Sequence, residues 1–320
     1  MTTSTQTTSR LAGRTETIPA RRLRRRRSLG TWVRGGGLST LVIALPMLLV
    51  FGLFSWFPIA RAVVMSFQFT NLVTPPEWVG LENFRTVLTD PLLTTAIGNT
   101  LWFAALALVL GYPVPLVAAV LMSEVKRFKG LYAALAYLPV VVPPVVAVLL
   151  WKQFYSASAS GVFNTVVGWV GLGPYPWLQD PSTAMPSLVL EATWAAAGGT
   201  VIIYLAALTG VPSELYDAAE VDGAGIWRKV WHVTLPHLRG ILLVTLILQV
   251  IGTAQVFLEP YLFTGGGPAN STTTVLLMIY DYAFGGRGQY GEATALSLML
   301  AAVLAVLSAL YFRITSRWSH

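Results

Sequence analysis

Few side chains in these 320 residues stand where a reaction would need them. His232 and His237 are five apart with Pro236 between them, not at the i, i+4 spacing that puts two metal ligands on one helical face, and a structural role fits them better. Cysteine is absent, which excludes disulfides, thiolate metal sites, a cysteine nucleophile and the acylated cysteine of a lipoprotein. Gly265-Gly266-Gly267 runs into Pro268 with no lysine nearby, so it reads as a loop and not a phosphate cradle. GxxxxGK[ST] does not occur, so the chain holds no P-loop for ATP. Paired carboxylates and a Ser/His/Asp set are missing as well. The residues predict no catalysis, no cofactor and no metal in this chain.

What does stand out is the stretch 210–239. Pro212 and Ser213 are suited to opening a helix. Leu215, Ala218, Ala219 and Asp222 follow helical spacing and form a small, nearly flat face. Gly223 supplies the left-handed conformation that ends such a helix. Ile226, Trp227, Val230 and Trp231 form the apolar stripe of a second short helix, and Pro236 is placed to open the next long apolar segment. Two short helices joined by a glycine at a membrane surface are suited to docking against another protein.

The elements that must carry this stretch are set by composition. With 55% hydrophobic and only 11% charged residues, the chain is far from a soluble domain, which carries about 25% charged residues. That balance excludes a disordered chain, a nucleic-acid-binding domain and an ordinary cytosolic enzyme, despite the net charge of +7. A bilayer-spanning helix needs about 20 mostly apolar residues. Six segments qualify: 38–60, 91–123 (helical from about Thr95), 130–151, about 185–209, 240–258 and 293–312. Two further uncharged stretches, 153–179 and 261–280, are broken by Gly, Ser, Pro and Thr and so are not read as spans. Within the first, 161–171 has the makings of a short interfacial helix, with Trp169 and Trp177 at headgroup level.

Of the 21 Lys and Arg, 17 fall in the N-terminal tail, in the second-to-third and fourth-to-fifth loops and in the C-terminal tail. This places both termini and the 210–239 loop in the cytoplasm. Residues 1–37 are Thr-, Ser- and Arg-rich and are predicted to be a disordered basic tail, with 38–320 as the membrane domain. The run Arg21–Arg27 acts as a topology signal that also meets anionic lipid. The uncharged stretch after it is too long for a signal-peptide core. A transporter is the leading class. Only Glu191 lies well inside a span, which argues against coupling to an ion gradient and for an external motor.

The 210–239 loop resembles the EAA loop of binding-protein-dependent ABC importer permeases. The family pattern of EAA, three residues, Gly, nine residues, Ile, one residue and Leu-Pro falls on Asp217-Ala218-Ala219, Gly223, Val233 and Leu235-Pro236. The departures are Asp217 for Glu and Val233 for Ile. Fragments elsewhere resemble the carbohydrate branch of that family: Gly80-Leu81-Glu82-Asn83-Phe84, Asn99-Thr100-Leu101, Leu138-Pro139 with Pro143-Pro144, Pro176-Trp177-Leu178, and Thr264–Pro268 with Asn270-Ser271-Thr272. The resemblance implies an all-α polytopic membrane protein of six transmembrane helices, the type I ABC importer permease fold, in a bacterial inner membrane.

It also implies partners: a second homologous permease, two ATPase subunits that bring ATP and Mg, an extracytoplasmic solute-binding protein, membrane lipid and a sugar as solute, with no nucleic acid. Asp217, Ala218, Ala219, Glu220, Asp222 and Gly223, with Leu235 and Pro236, would then form the ATPase-coupling loop. Asp217, Glu220 and Asp222 would offer charge to a basic group of the ATPase. Sugar recognition calls for amides and carboxylates beside aromatic faces. Asn99, Glu191, Gln249 and Gln255 are the candidates for the solute path, with Trp102, Trp194, Tyr204 and Phe257 near them in sequence. An ion-coupled carrier or a membrane-embedded transferase stays open as the alternative.

Overall fold

The computed structural model describes residues 38–125, 127–286 and 288–315. The basic tail expected over 1–37 lies outside the described residues. The chain separates into two compact units, one ending at Pro58 and one beginning at Ile59. The first contains the start of helix α1 (Leu38–Met65), which at 1.5 Å per residue is about 42 Å long and exceeds the hydrocarbon thickness. Gly52–Trp56 within it is π-helical, and Phe51 meets Trp56 edge-on at 6.3 Å.

In the second unit a two-residue ribbon, β1 (Gln68–Phe69) against β2 (Glu77–Trp78), follows α1. Helix α2 (Glu82–Thr89) is pinned to that ribbon because Asn83 Nδ2 donates to the carbonyls of Ser66 and Gln68, both at 2.9 Å. Asp90 then caps α3 (Pro91–Glu124): its Oδ1 accepts from the Leu92 amide at 2.8 Å, and Pro91 occupies the first turn, where no N–H is needed.

The third span, expected as one helix over 130–151, is instead a broken pair. Helices α4 (Gly130–Val141) and α5 (Pro144–Phe154) meet at 97°. The cause is Pro143-Pro144. Val142, ahead of a proline, is held extended at ψ 128°, and the Pro143 carbonyl restarts the ladder by accepting from the Val146 and Ala147 amides. Helix α6 (Val162–Gly168) is the short helix expected there. Trp169 beside it is exposed, and Trp177 is half-buried. Its Nε1 donates to Asn164 Oδ1 at 2.9 Å, inside an aromatic cluster with Tyr155 and Phe163.

Helix α7 (Pro181–Leu208) repeats the Asp-Pro start. Asp180 Oδ1 accepts from the Ser182 amide and hydroxyl, which hold its carboxyl below the usual carboxylate range. Helix α8 (Ser213–Val221) carries the loop signature. The next helix, α9 (Ile226–Ala254), differs from expectation. The stripe Ile226–Trp231 is not a separate short helix, nor does Pro236 open the span. The two are one helix through a π-helical turn at Val230–Thr234, in which the Leu235 amide donates to the Val230 carbonyl. The widened turn absorbs the missing N–H and the ring of Pro236.

Helix α10 (Val275–Phe284), about 15 Å long, is too short to span, and α11 (Tyr290–Thr315) closes the described chain. Among the described residues five helices are long and apolar enough to cross a membrane, and the bent pair makes six. α7 is central, packed against α3, α4, α5 and α9. Val109 and Leu149 are among many large apolar side chains left exposed on the helices, as lipid or a partner helix would require.

Candidate functional site

The cytoplasm-facing loop expected from the sequence has a defined geometry. After Gly223, at φ +71°, the Ala224 amide donates to the Ala219 carbonyl at 2.8 Å, and the Gly223 amide to the Glu220 carbonyl at 2.9 Å. This pair of bonds is a Schellman cap, and it stops α8 at one residue. Two contacts tie α8 to the start of α9: the Tyr216 hydroxyl lies 3.1 Å from Thr234 Oγ1, and Glu220 pairs with Lys229. Glu220 is therefore already engaged within the chain, and of the three acids Asp217 and Asp222 are the better placed to meet a partner's cation. Val221, Trp227 and Trp231 are 89%, 73% and 65% exposed, an apolar surface around those charges. Leu235 is half-buried and Pro236 exposed, within the first turns of α9.

His232 and His237 each turn a ring Nδ1 to the carbonyl four residues back, Arg228 and Val233. Among the described residues no three His, Asp or Glu side chains gather where a metal ion would sit.

The second feature is a cavity of about 550 Å³ between α3, α7 and α9. Its polar wall includes Thr193, Thr200, Thr245, Gln249, Thr253 and Glu259, with Gln255 and Phe257 beside them. Gly111 lets α3 approach α7 closely at the edge of this space, since a Cβ there would run into Thr193 Oγ1. α9 joins the two features, since the helix that begins at the loop passes Gln249 and ends at Ala254, beside the cavity.

The four candidate polar residues separate here. Gln249 and Gln255 line the cavity. Glu191 does not; it is buried, and its Oε2 has no hydrogen-bond partner. Asn99 serves the fold, its Nδ2 donating to the carbonyls of Asn270 at 2.7 Å and Thr273 at 2.9 Å and fastening the loop before α10 to α3. Of the aromatic residues, Phe257 reaches the cavity and stacks on Tyr261, with 5.2 Å between centroids. Trp194 belongs to the cluster around Trp151, Tyr204 is buried against Thr245, and Trp102 is exposed. Glu259 appears in the sequence only as a charge at the edge of a span; the one signal for it was its isolation in an otherwise uncharged run.

Gln249→Leu and Asn99→Leu are expected to fail differently. The first leaves a solute hydroxyl unmatched, at about 1–3 kcal/mol, so apparent affinity falls roughly five- to hundredfold at normal yield. The second strips two carbonyls of their donor and lowers the yield of folded protein. Uptake kinetics beside size-exclusion yield separates the two, and unchanged kinetics for Gln249→Leu would remove this residue from the solute path.

The chain is similar to known transport proteins along most of its length. The profile of the family described as "Binding-protein-dependent transport system inner membrane component" matches residues 111–319. The arabinooligosaccharides transport system permease protein AraP of Halalkalibacterium halodurans is 32% identical over 271 residues, covering 83% of this chain and 84% of that protein. The lactose transport system permease protein LacF of Rhizobium radiobacter is 33% identical over 272 residues, covering 83% and 90%. Among solved structures, a bacterial ABC transporter that imports the acidic polysaccharide alginate superposes with a TM-score of 0.79 at 28% identity, covering 90% of this chain and 98% of that one.

Proposed function

The chain belongs to the family of binding-protein-dependent transport system inner membrane components, and from that premise we propose that it is a carbohydrate permease driven through the loop at 210–239. The ion-coupled carrier and the transferase lapse with the family. The observation that carries the proposal is the continuity of α9, which runs from the loop to a cavity whose wall offers the amides and hydroxyls a sugar needs. Arabinooligosaccharide and lactose permeases among the relatives support the same solute class.

In this reading a second permease completes the pore and two ATPase subunits below bind ATP and Mg. An extracytoplasmic solute-binding protein delivers the sugar, as the alginate importer's complex with its periplasmic protein supports. Asp217, Ala218, Ala219, Asp222 and Gly223 enter the ATPase cleft. Closure of the ATPase dimer moves α8. Because Tyr216–Thr234 and Glu220–Lys229 tie α8 to α9, the displacement is carried to Leu235, Pro236 and on to the cavity wall. The chain does no chemistry; it has two arrangements whose relative stability the ATPase shifts.

Reconstitution tests this directly. Uptake into proteoliposomes is expected only with both permeases, the ATPase, binding protein and ATP together; uptake by this chain alone along an ion gradient would sink the proposal. The orientation is tested on the same preparation. The chain has no cysteine, so label found on this chain after the subunits are separated comes only from the introduced one. Cysteine at Ser123 or Ala224 is expected to react only from the cytoplasmic side, and at Ser158 or Ser271 only from outside.

A further inference from the structure

Three threonine hydroxyls of the cavity wall are engaged within the protein: Thr245 Oγ1 donates to the Ile241 carbonyl at 3.0 Å and is met by the Tyr204 hydroxyl at 2.7 Å. Thr193 Oγ1 spends its proton on the Val189 carbonyl at 2.7 Å, and Thr253 Oγ1 on the Gln249 carbonyl at 2.9 Å, so each presents lone pairs. The wall includes Gly252, Thr253, Gln255 and Val256, at the C-terminal end of α9, where the helix carries its partial negative charge. Glu259 is the one acidic side chain on the wall among the described residues. Glu191 on α7, 2% exposed with an unpartnered Oε2, is a second buried acid outside the lining. No Lys, Arg or His lines the space among the described residues.

From this geometry we infer that the cavity admits saccharides that are neutral or carry an ammonium group, and turns away those bearing carboxylate, phosphate or sulfate. The inference rests on the reading of the cavity as the solute path and adds the charge class of the solute. The physical basis is a wall with one acid and no base, in a space whose low-dielectric sides focus that group's field, beside the hydroxyls and amides that match sugar hydroxyls. A uronate would bring its charge against Glu259 with no cation to receive it. The chain that superposes well on this one comes from an importer of the acidic polysaccharide alginate, so a shared fold does not imply a shared solute charge.

The absence of cysteine makes the field measurable without knowing the sugar. In the assembled importer, cysteine is placed at Thr200 on the cavity wall and, as a reference, at exposed Ser158. Each is reacted with a trimethylammonium and with a sulfonate methanethiosulfonate reagent. The ratio of cationic to anionic rates at Thr200→Cys is expected to exceed that at Ser158→Cys by about tenfold or more. Adding Glu259→Gln is expected to bring it most of the way down. Equal ratios at the two positions, or a high ratio that Glu259→Gln leaves untouched, overturn the inference. Failure of Thr200→Cys to react with either reagent while Ser158→Cys reacts instead overturns the cavity as a solute path. In the same importer without added cysteines, a uronate trisaccharide accumulated in preference to neutral ones from a mixture would also overturn the charge assignment.

Discussion

Gly223→Val is expected to abolish most ATP-driven uptake while the protein still inserts and assembles with its partner permease. The residue sits at φ +71°, where the Schellman bonds Ala224→Ala219 and Gly223→Glu220 require it. A Cβ there meets nothing within 4 Å, so the substitution is not a packing defect. Its cost is the backbone conformation alone, about 1–3 kcal/mol and toward the upper end for a β-branched side chain. That is enough to shift the loop out of its capped form by one to two orders of magnitude and to re-aim Asp217 and Asp222. Gly223→Asn is the control, since Asn accepts the left-handed region, and it is expected to keep most activity.

Asp217→Lys should give the same loss by a different route, turning an attraction to a basic ATPase group into repulsion. The measurements are co-purification of the ATPase and its turnover stimulated by the binding protein in proteoliposomes. Full association, stimulation and uptake in both Gly223→Val and Asp217→Lys would falsify the assignment of this loop as the docking element.

The second large effect is expected from the smallest change. Gly198→Ala on α7 adds one carbon that would run into the Ala136 carbonyl oxygen, with Tyr137 Cα also close at 3.1 Å. Neither neighbour is the flexible end of a side chain; both are backbone of α4, so the helices must separate along their contact. Close approach at small residues is a main source of helix association in lipid, where no hydrophobic effect drives it. Overpacking of this kind costs about 1–3 kcal/mol or more. Gly199→Ala, one residue on, meets nothing within 4 Å and should be neutral or stabilising by up to about 1 kcal/mol through helix propensity. Thermal aggregation of the two variants in detergent should therefore diverge, with Gly198→Ala several degrees lower and in reduced yield. Equal melting of both would mean that α4 and α7 do not meet through Gly198.

What was legible in the sequence was whatever depends on short stretches of chain. Apolar length marked the spans and Gly223 marked the end of α8, because a hydrophobic run and a left-handed φ are properties of a few consecutive residues, whereas α3 and α7 start at Pro91 and Pro181, ahead of the Thr95 and 185 expected. The spacing from Asp217 to Pro236 was enough to identify the family for the same reason. Pro143-Pro144 and Pro236 were visible as interruptions, but not their outcomes. One produced a 97° bend and the other an unbroken helix, because the available repair differed: a carbonyl that restarts a ladder in one case, a π turn in the other.

The roles of individual polar side chains lay further from reach. Asn99, Trp177, Glu220 and Gln249 look equally available in a sequence. Folding gave the first three partners at Asn270 and Thr273, Asn164 and Lys229, and left Gln249 facing a cavity with Glu259. A polar side chain takes whatever partner the packing brings near, and that partner stands nine residues away for Glu220 and more than 170 for Asn99. The chain order carries no record of that distance, so only the packed helices separate the residues that hold the fold from those that line the cavity.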